Sequence, residues 1–186
     1  MASIISHAVF ASGLGAAASP ERRMPARYWV TLAVVAALPD ADVAIYPLGV
    51  NAPHMLGHRG ITHSLVFAAV LAALVVRLVF RAPAWRASWV RLWIVFFAAI
   101  ASHGVLDAMT NGGQGIAFFA PFSAGRWHFA WRPILVSPIG VGAFISMYGV
   151  RVLRNEVVWV WLPAALLALA GRLARQRRSR PKELAA

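Results

Sequence analysis

The sequence predicts an all-α, polytopic helical membrane protein with about five to six membrane helices and a polar metal-site layer near one membrane face. Three observations carry this reading. Of 186 residues, 60% are hydrophobic and 13% charged, against roughly half and a quarter in soluble domains, and the mean hydropathy is +0.67. The apolar residues fall in runs separated by short basic or proline-bearing loops. The rare polar side chains, His7, Asp40, Asp42, His58, His63, His103 and Asp107, stand at the ends of those runs.

Residues 1–18 are small and apolar and include Gly13 and Gly15. Ala16 to Ser19 would suit a signal peptidase, but the basic start of a signal peptide is missing, so this is a first, glycine-rich membrane helix. A basic loop with Arg22, Arg23 and Arg27 leads into a second helix at 28–38, which Pro39 ends or kinks. Residues 43–50 are too few to span a bilayer, and 46–53 form a loop. The third helix is 61–80, followed by a second basic loop at 81–91 with Pro83. The fourth is 89–109, where Trp89 and Trp93 suit an interfacial belt. The long connection 110–132 holds the turn Asn111-Gly112-Gly113 and six aromatics, from Phe118 to Trp131, that place it at the interface. A fifth helix is expected at 133–150 and a short sixth at 157–171, with Pro163 inside it. Residues 1–171 thus read as one membrane domain and 172–186 as a basic tail.

A net charge of +12 raises the question of nucleic acid. The arginines cluster between apolar runs and in the tail, where positive charge sets orientation and meets anionic lipid, so no nucleic-acid partner is expected. Cysteine is absent, which excludes disulfides and thiolate ligands; a transition metal here must use imidazole and carboxylate.

If successive helices alternate direction, the polar ends all reach one face. His7 starts the first helix, Asp40 and Asp42 follow the second, His58 and His63 open the third, and His103 and Asp107 close the fourth. His103 and Asp107 are four apart, on one helix face about 6 Å from each other, a workable spacing for two ligands of one ion. Asp40-Ala41-Asp42 offers one carboxylate to a metal and another to a second metal or to a histidine that needs orienting. His58 and His63 supply one ligand each, or one ligand and one orienting group. Three of the six acidic residues stand in this layer. Each residue also has a plainer reading. A lone membrane histidine is commonly an interhelical hydrogen-bond donor, Asp40 and Asp42 suit helix capping, and Arg59 suits a headgroup contact. His54 reads as solvated and His128 as interfacial. The cluster as a whole favours metal, because ionisable groups inside a membrane are costly and normally functional.

Such a layer suits hydrolysis. A metal lowers the pKa of bound water to about 7 and a pair of metals clamps both oxygens of a phosphoester. Asp40 or Asp42 would act as general base, and Arg59 or Arg126 would hold the phosphate by bidentate hydrogen bonds. The expected substrate is a membrane lipid, a phospholipid or a lipid-linked phosphate at the interface. The competing readings are a metal-binding or metal-transporting membrane protein without catalysis, and a structural protein whose polar layer only joins helices.

The order of motifs is specific in combination. His7 with Gly13 and Gly15, Leu38-Pro39-Asp40-Ala41-Asp42, His58-Arg59-Gly60-Ile61-Thr62-His63-Ser64 and Ser102-His103-Gly104-Val105-Leu106-Asp107 together resemble the YdjM family of bacterial inner-membrane proteins. The likeness covers residues 1–150. Metal-dependent hydrolase activity is inferred for that family, which is grouped with zinc-dependent phospholipase C and related all-α zinc nucleases. The resemblance implies that His7, one of Asp40 and Asp42, His63, His103 and Asp107 ligate Zn2+, with Asp107 a candidate bridge. Those soluble enzymes also use a freed N-terminal amine and hold a third zinc through later histidines and a glutamate. After Asp107 this chain offers a single histidine, His128, so one or two ions are expected. By the positive-inside rule the arginine loops are cytoplasmic and the site faces the periplasm. Six spans would then leave the basic tail outside, unless the proline-broken sixth segment does not cross or the long connection holds a re-entrant piece.

Overall fold

A computed structural model of the chain describes residues 1–21, 23–50 and 54–179. Arg22, the end of the 46–53 loop and the last part of the tail, from 180 onward, lie outside the described residues. Helix α1 spans Ile4–Ala18, with Ser3 as N-cap accepting from the Ser6 amide. Helix α2 (Ala26–Ala37) continues as a 3-10 helix over Leu38–Leu48. A 3-10 turn at Ile61–His63 precedes α3 (Leu65–Val79), capped by Ser64, whose hydroxyl accepts from the Phe67 amide. A second such turn at Pro83–Ser88 leads into α4 (Trp89–Ala108). After a long connection come α5 (Val141–Phe144), α6 (Met147–Glu156), a π-helical turn (Val157–Trp161) and α7 (Leu162–Ser179).

The expected fifth helix at 133–150 does not form as such. Residues 133–140 carry Pro133, Pro138 and Gly140 and run as irregular chain, since proline offers no amide to a helical ladder. The last two expected helices are instead one continuous apolar helix over Met147–Arg177. Pro163 does not break it. A proline lacks an N–H and crowds the carbonyl four residues back, and the π turn just before it loosens the ladder at that point. Helix α7 runs on through Arg172 to Ser179.

Among the described residues this leaves five apolar helices: three long enough to cross a membrane by length and composition, and the shorter α1 and α3. Helix α1 packs against α7, α2 and α4, and α3 packs against α4. The approach of α1 to α7 needs a glycine, because a Cβ on Gly13 would lie 2.6 Å from the Ala164 carbonyl oxygen. Tyr28, Leu32, Phe80, Trp85, Leu92 and Phe96 form the apolar core at the end where α2 and α4 begin and α3 ends. Arg27 lies over the Phe80 and Trp85 rings there. Arg175 donates to the Ala16 and Ala17 carbonyls at the end of α1. The basic end of the long helix thus lies beside the two basic loops.

The opposite end is roofed by the connection after α4. Ala117 donates to the Arg59 carbonyl, Leu65 to Phe118, Phe129 to Ala108, Asn111 to Ile134 and Ser137 to Met1. Phe119, Phe122, Trp127, Phe129 and Trp131 remain exposed along this roof, where an interfacial aromatic belt belongs.

A buried histidine–aspartate centre beneath the roof

The 15-residue α1 and α3 are about 22 Å long, short of a ~30 Å hydrocarbon core. Their N-termini meet the roof directly, the Ser137 amide donating to the Met1 carbonyl and the Leu65 amide to the Phe118 carbonyl, and the site lies at this end. His7, Asp40, Asp42, His58, Arg59, His63, His103 and Asp107 are all buried. Four separate stretches contribute them: α1, the 3-10 helix after α2, residues 58–63 and α4.

Four side chains converge on one point. His103 Nε2 lies 3.1 Å from His63 Nε2 and 3.2 Å from Asp40 Oδ1. His63 Nε2 lies 3.6 Å from Asp40 Oδ1 and 3.8 Å from Asp107 Oδ2. One ligand atom from each of Asp40, His63, His103 and Asp107 falls within 4.8 Å of the others. Zinc bonds near 2 Å in a tetrahedron put ligand atoms roughly 3.4 Å apart, so the spacing suits an ion at the centre.

Local sequence explains the ring orientations. Proline 39 has no N–H, so the Ala36 carbonyl, three residues earlier, loses the partner that the 3-10 ladder would give it. His103 Nδ1 donates to that carbonyl at 2.7 Å. This puts the proton on Nδ1 and turns the Nε2 lone pair toward Asp40 and His63. Lone pairs and carboxylate oxygens this close repel unless a cation or proton sits among them.

Asp42 does not join this group. Its Oδ1 accepts from His58 Nδ1 at 2.8 Å, and its Oδ2 accepts from Thr62 Oγ1 at 2.7 Å and lies 3.4 Å from His63 Nδ1. Asp42, His58 and His63 form a second grouping able to hold an ion, with His63 common to both. Burial alone would lower the His63 imidazole; hydrogen bonds to Asp40 and Asp42 and the Asp107 charge outweigh it and raise the ring to about 9. His7 stacks on His103 with centroids 3.6 Å apart, and its Nε2 lies 3.3 Å from Asp107 Oδ1. It is close to the centre but outside the four converging atoms.

Arg59 takes a left-handed backbone (φ 66°), uncommon and strained for a side-chain-bearing residue. Its guanidinium donates to the Gly112 carbonyl at 2.9 Å and to Thr110 Oγ1 at 3.1 Å, with Nε 3.4 Å from Asp107 Oδ2. Gly113 is required beside it, since a Cβ there would strike the guanidinium. Arg126 is half-buried at the rim and donates to the carbonyls of His58, Gly115 and His54. Both arginines thus make bonds within the protein besides any they offer a ligand. His54 and His128 are exposed.

The sequence reading did not single out Glu156. It is fully buried beside α1, accepting from the Ser3 amide at 2.5 Å and from the Ser3 and Ser6 hydroxyls at 2.6 and 2.8 Å. Trp161 Nε1 donates to Ser6 Oγ at 2.8 Å. A lone acid within an otherwise apolar and basic stretch was the available signal.

A divalent metal fits these residues on a second count. His7 Nδ1 and Nε2, Asp40 Oδ2 and Asp107 Oδ2 are buried with no hydrogen bond, and buried polar atoms seldom go unpaired without a functional reason.

The chain matches the family model described as YdjM inner membrane protein over residues 1–178. It is similar to inner membrane protein YbcI of Escherichia coli (strain K12), with 38% identity over 171 residues, 90% of this chain and 95% of that one. No solved structure matches it.

Proposed function

The chain belongs to the YdjM family of inner membrane proteins, and on that premise we propose that it is a membrane-embedded, metal-dependent phosphoester hydrolase. Its substrate is a lipid or lipid-linked phosphate, and its site faces the periplasm. The observation that carries this is the convergence of Asp40, His63, His103 and Asp107 around carboxylate oxygens that lack hydrogen bonds. Two imidazoles and two carboxylates suit zinc.

A zinc ion bound there supplies Lewis acidity, polarising a phosphoryl oxygen and acidifying water. The protein's own groups do the rest. His103 is held in its ligating tautomer by the Ala36 carbonyl, and Asp42 steadies His63 from the far side of the ring. Asp40 keeps Oδ2 free of hydrogen bonds and is the better placed general base; Asp42 is committed to His58 and Thr62. Arg59 holds Asp107 in place and gives the site positive potential, with Arg126 at the rim. The roof excludes bulk water, which strengthens each of these interactions.

Purified protein is expected to carry a stoichiometric amount of zinc by elemental analysis, and His103→Ala to lose it. Chelator-sensitive release of phosphate or a phosphorylated headgroup from lipid extracts supports hydrolysis. Metal-replete protein inert toward every lipid and soluble phosphoester overturns it.

A further inference from the structure

We infer that α6 carries a binding site for one anionic phospholipid, its phosphate held by Arg151 and Arg154 and its chains lying against the outer face of α7. The site is separate from the histidine–aspartate centre and does not depend on the hydrolase reading.

Helix α6 is fixed at the roofed end by its own side chains. Asn155 accepts from the Leu135 amide and donates to the Pro133 carbonyl, Tyr148 donates to the Val136 carbonyl, and Glu156 accepts from Ser3. Met147, Val150, Arg151 and Arg154 stand exposed on the helix so held and, with Tyr148, line a shallow groove of about 350 Å³. No residue of this groove lines the cavity beside Asp40 or the one beside His58 and Arg59. Arg151 and Arg154 are three apart and so share one side of the helix. Neither guanidinium has a hydrogen bond or ion pair among the described residues. Two preplaced cations thus face the membrane interface with their donors uncommitted.

The same helix continues into the hydrocarbon region without a break, from Met147 to Arg177. Val158, Leu162, Leu166 and Leu169 follow the arginines at spacings of three and four residues, and all are exposed. From Val158 to Leu169 this stripe covers about 16 Å, close to one leaflet of a ~30 Å hydrocarbon core. A phosphate at the arginines therefore places its acyl chains along the stripe, which free phosphate would leave unused.

Charge selects an anionic head. A zwitterionic lipid brings an amine beside its phosphate, and among the described residues this end exposes no carboxylate to receive it. Asp40, Asp42, Asp107 and Glu156 are buried, and Glu21 lies in the connection at the opposite end. Arg132, exposed in the roof, adds to the positive surface. Basic residues near a bilayer surface attract anionic lipid, and a planar guanidinium matches two phosphate oxygens at once. Arginines that only snorkel to water would show no such preference.

The test is photo-labelling. The probe is phosphatidylglycerol with a diazirine midway along one acyl chain, a minor component of phosphatidylcholine nanodiscs that hold the full chain. A chelator is kept present, so turnover of the probe does not enter. After illumination, cross-linked peptides are mapped by mass spectrometry. Adducts should concentrate at 157–169, and Arg151→Gln combined with Arg154→Gln should lower them about tenfold. Adducts on α3 and thermal unfolding should stay as in wild type. A phosphatidylcholine probe with the same chains that labels wild-type 157–169 as strongly overturns the proposal, as does an undiminished yield in the double variant. Displacement of the lipid probe by millimolar inorganic phosphate also overturns it, by making the groove a site for free phosphate.

Discussion

Asp42 shows how much of this centre is orientation. It touches His58, Thr62 and the far nitrogen of His63, while the near nitrogen of His63 faces Asp40, His103 and Asp107. Groups that hold a metal-binding histidine from behind typically contribute 10–100-fold in affinity. Asp42→Asn is therefore expected to weaken zinc binding by about that factor without abolishing it, whereas His103→Ala abolishes it; competition with a chromophoric chelator measures both. The same titration has a definite pH sign. In the metal-free fold the His63 ring is raised to about 9, so near neutrality it carries a proton that metal must expel. Affinity then climbs with pH and levels off near 9. In the metal-free protein the stability from this proton is fully present below about 6.5 and is lost as pH rises through 9. Asp42→Asn removes one of the groups that raise the ring, so its plateau is reached at lower pH; an unchanged plateau would detach Asp42 from His63.

Glu156 ties two distant elements together. Its carboxylate joins the C-terminal end of α6 to the first turn of α1, fixing the depth at which His7 and the Ala2 amide meet Asp107. Glu156→Ala leaves a buried amide and two hydroxyls without their acceptor, a cost of about 1–3 kcal/mol per unsatisfied group. Glu156→Gln keeps an oxygen for the Ser3 amide while the hydroxyls rotate to accept, so it should cost little. Thermal unfolding in nanodiscs checks this: the alanine variant melts several degrees lower and the glutamine variant close to wild type, and identical curves for all three would remove the tie. Sequence spacing could not reveal it, because Glu156 shares no helical turn with a ligand and stands after two arginines that suggest a surface pair. The meeting of Asp40, His63, His103 and Asp107 was legible. Costly polar residues at the ends of apolar runs leave few places to go once helices alternate direction, and α2, α3 and α4 lie within a few residues of their expected bounds. The region after α4 was not legible for a local reason. The 133–150 stretch is apolar enough for a helix, but Pro133 and Pro138 withhold amides and the chain closes over the site instead. Pro163 read as a break inside a short sixth segment because a π turn leaves no mark in composition.

At the scale of the whole molecule, the last helix fixes where its basic residues stand. It ends opposite the roof, where Arg175 grips the last carbonyls of α1. Arg23, Arg27, Arg81, Arg86 and Arg91, in or beside the two basic connections, and Arg172 and Arg175 in α7 then share one end, and the roof and the histidine–aspartate centre occupy the other. Arginine excess near helix ends marks the cytoplasmic side, so the centre is expected to open to the periplasm with no conflict from the tail. The chain has no cysteine, which makes the prediction simple to check. Single substitutions Ala84→Cys, in the exposed 81–88 loop, and Ser123→Cys, on the exposed roof, are treated in intact cells with a membrane-impermeant maleimide. Ser123→Cys should react at once and Ala84→Cys only after lysis. The reverse pattern would put the centre in the cytoplasm and limit its substrates to lipids of the inner leaflet, because a site buried at one end of a bundle this short reaches headgroups on its own side alone.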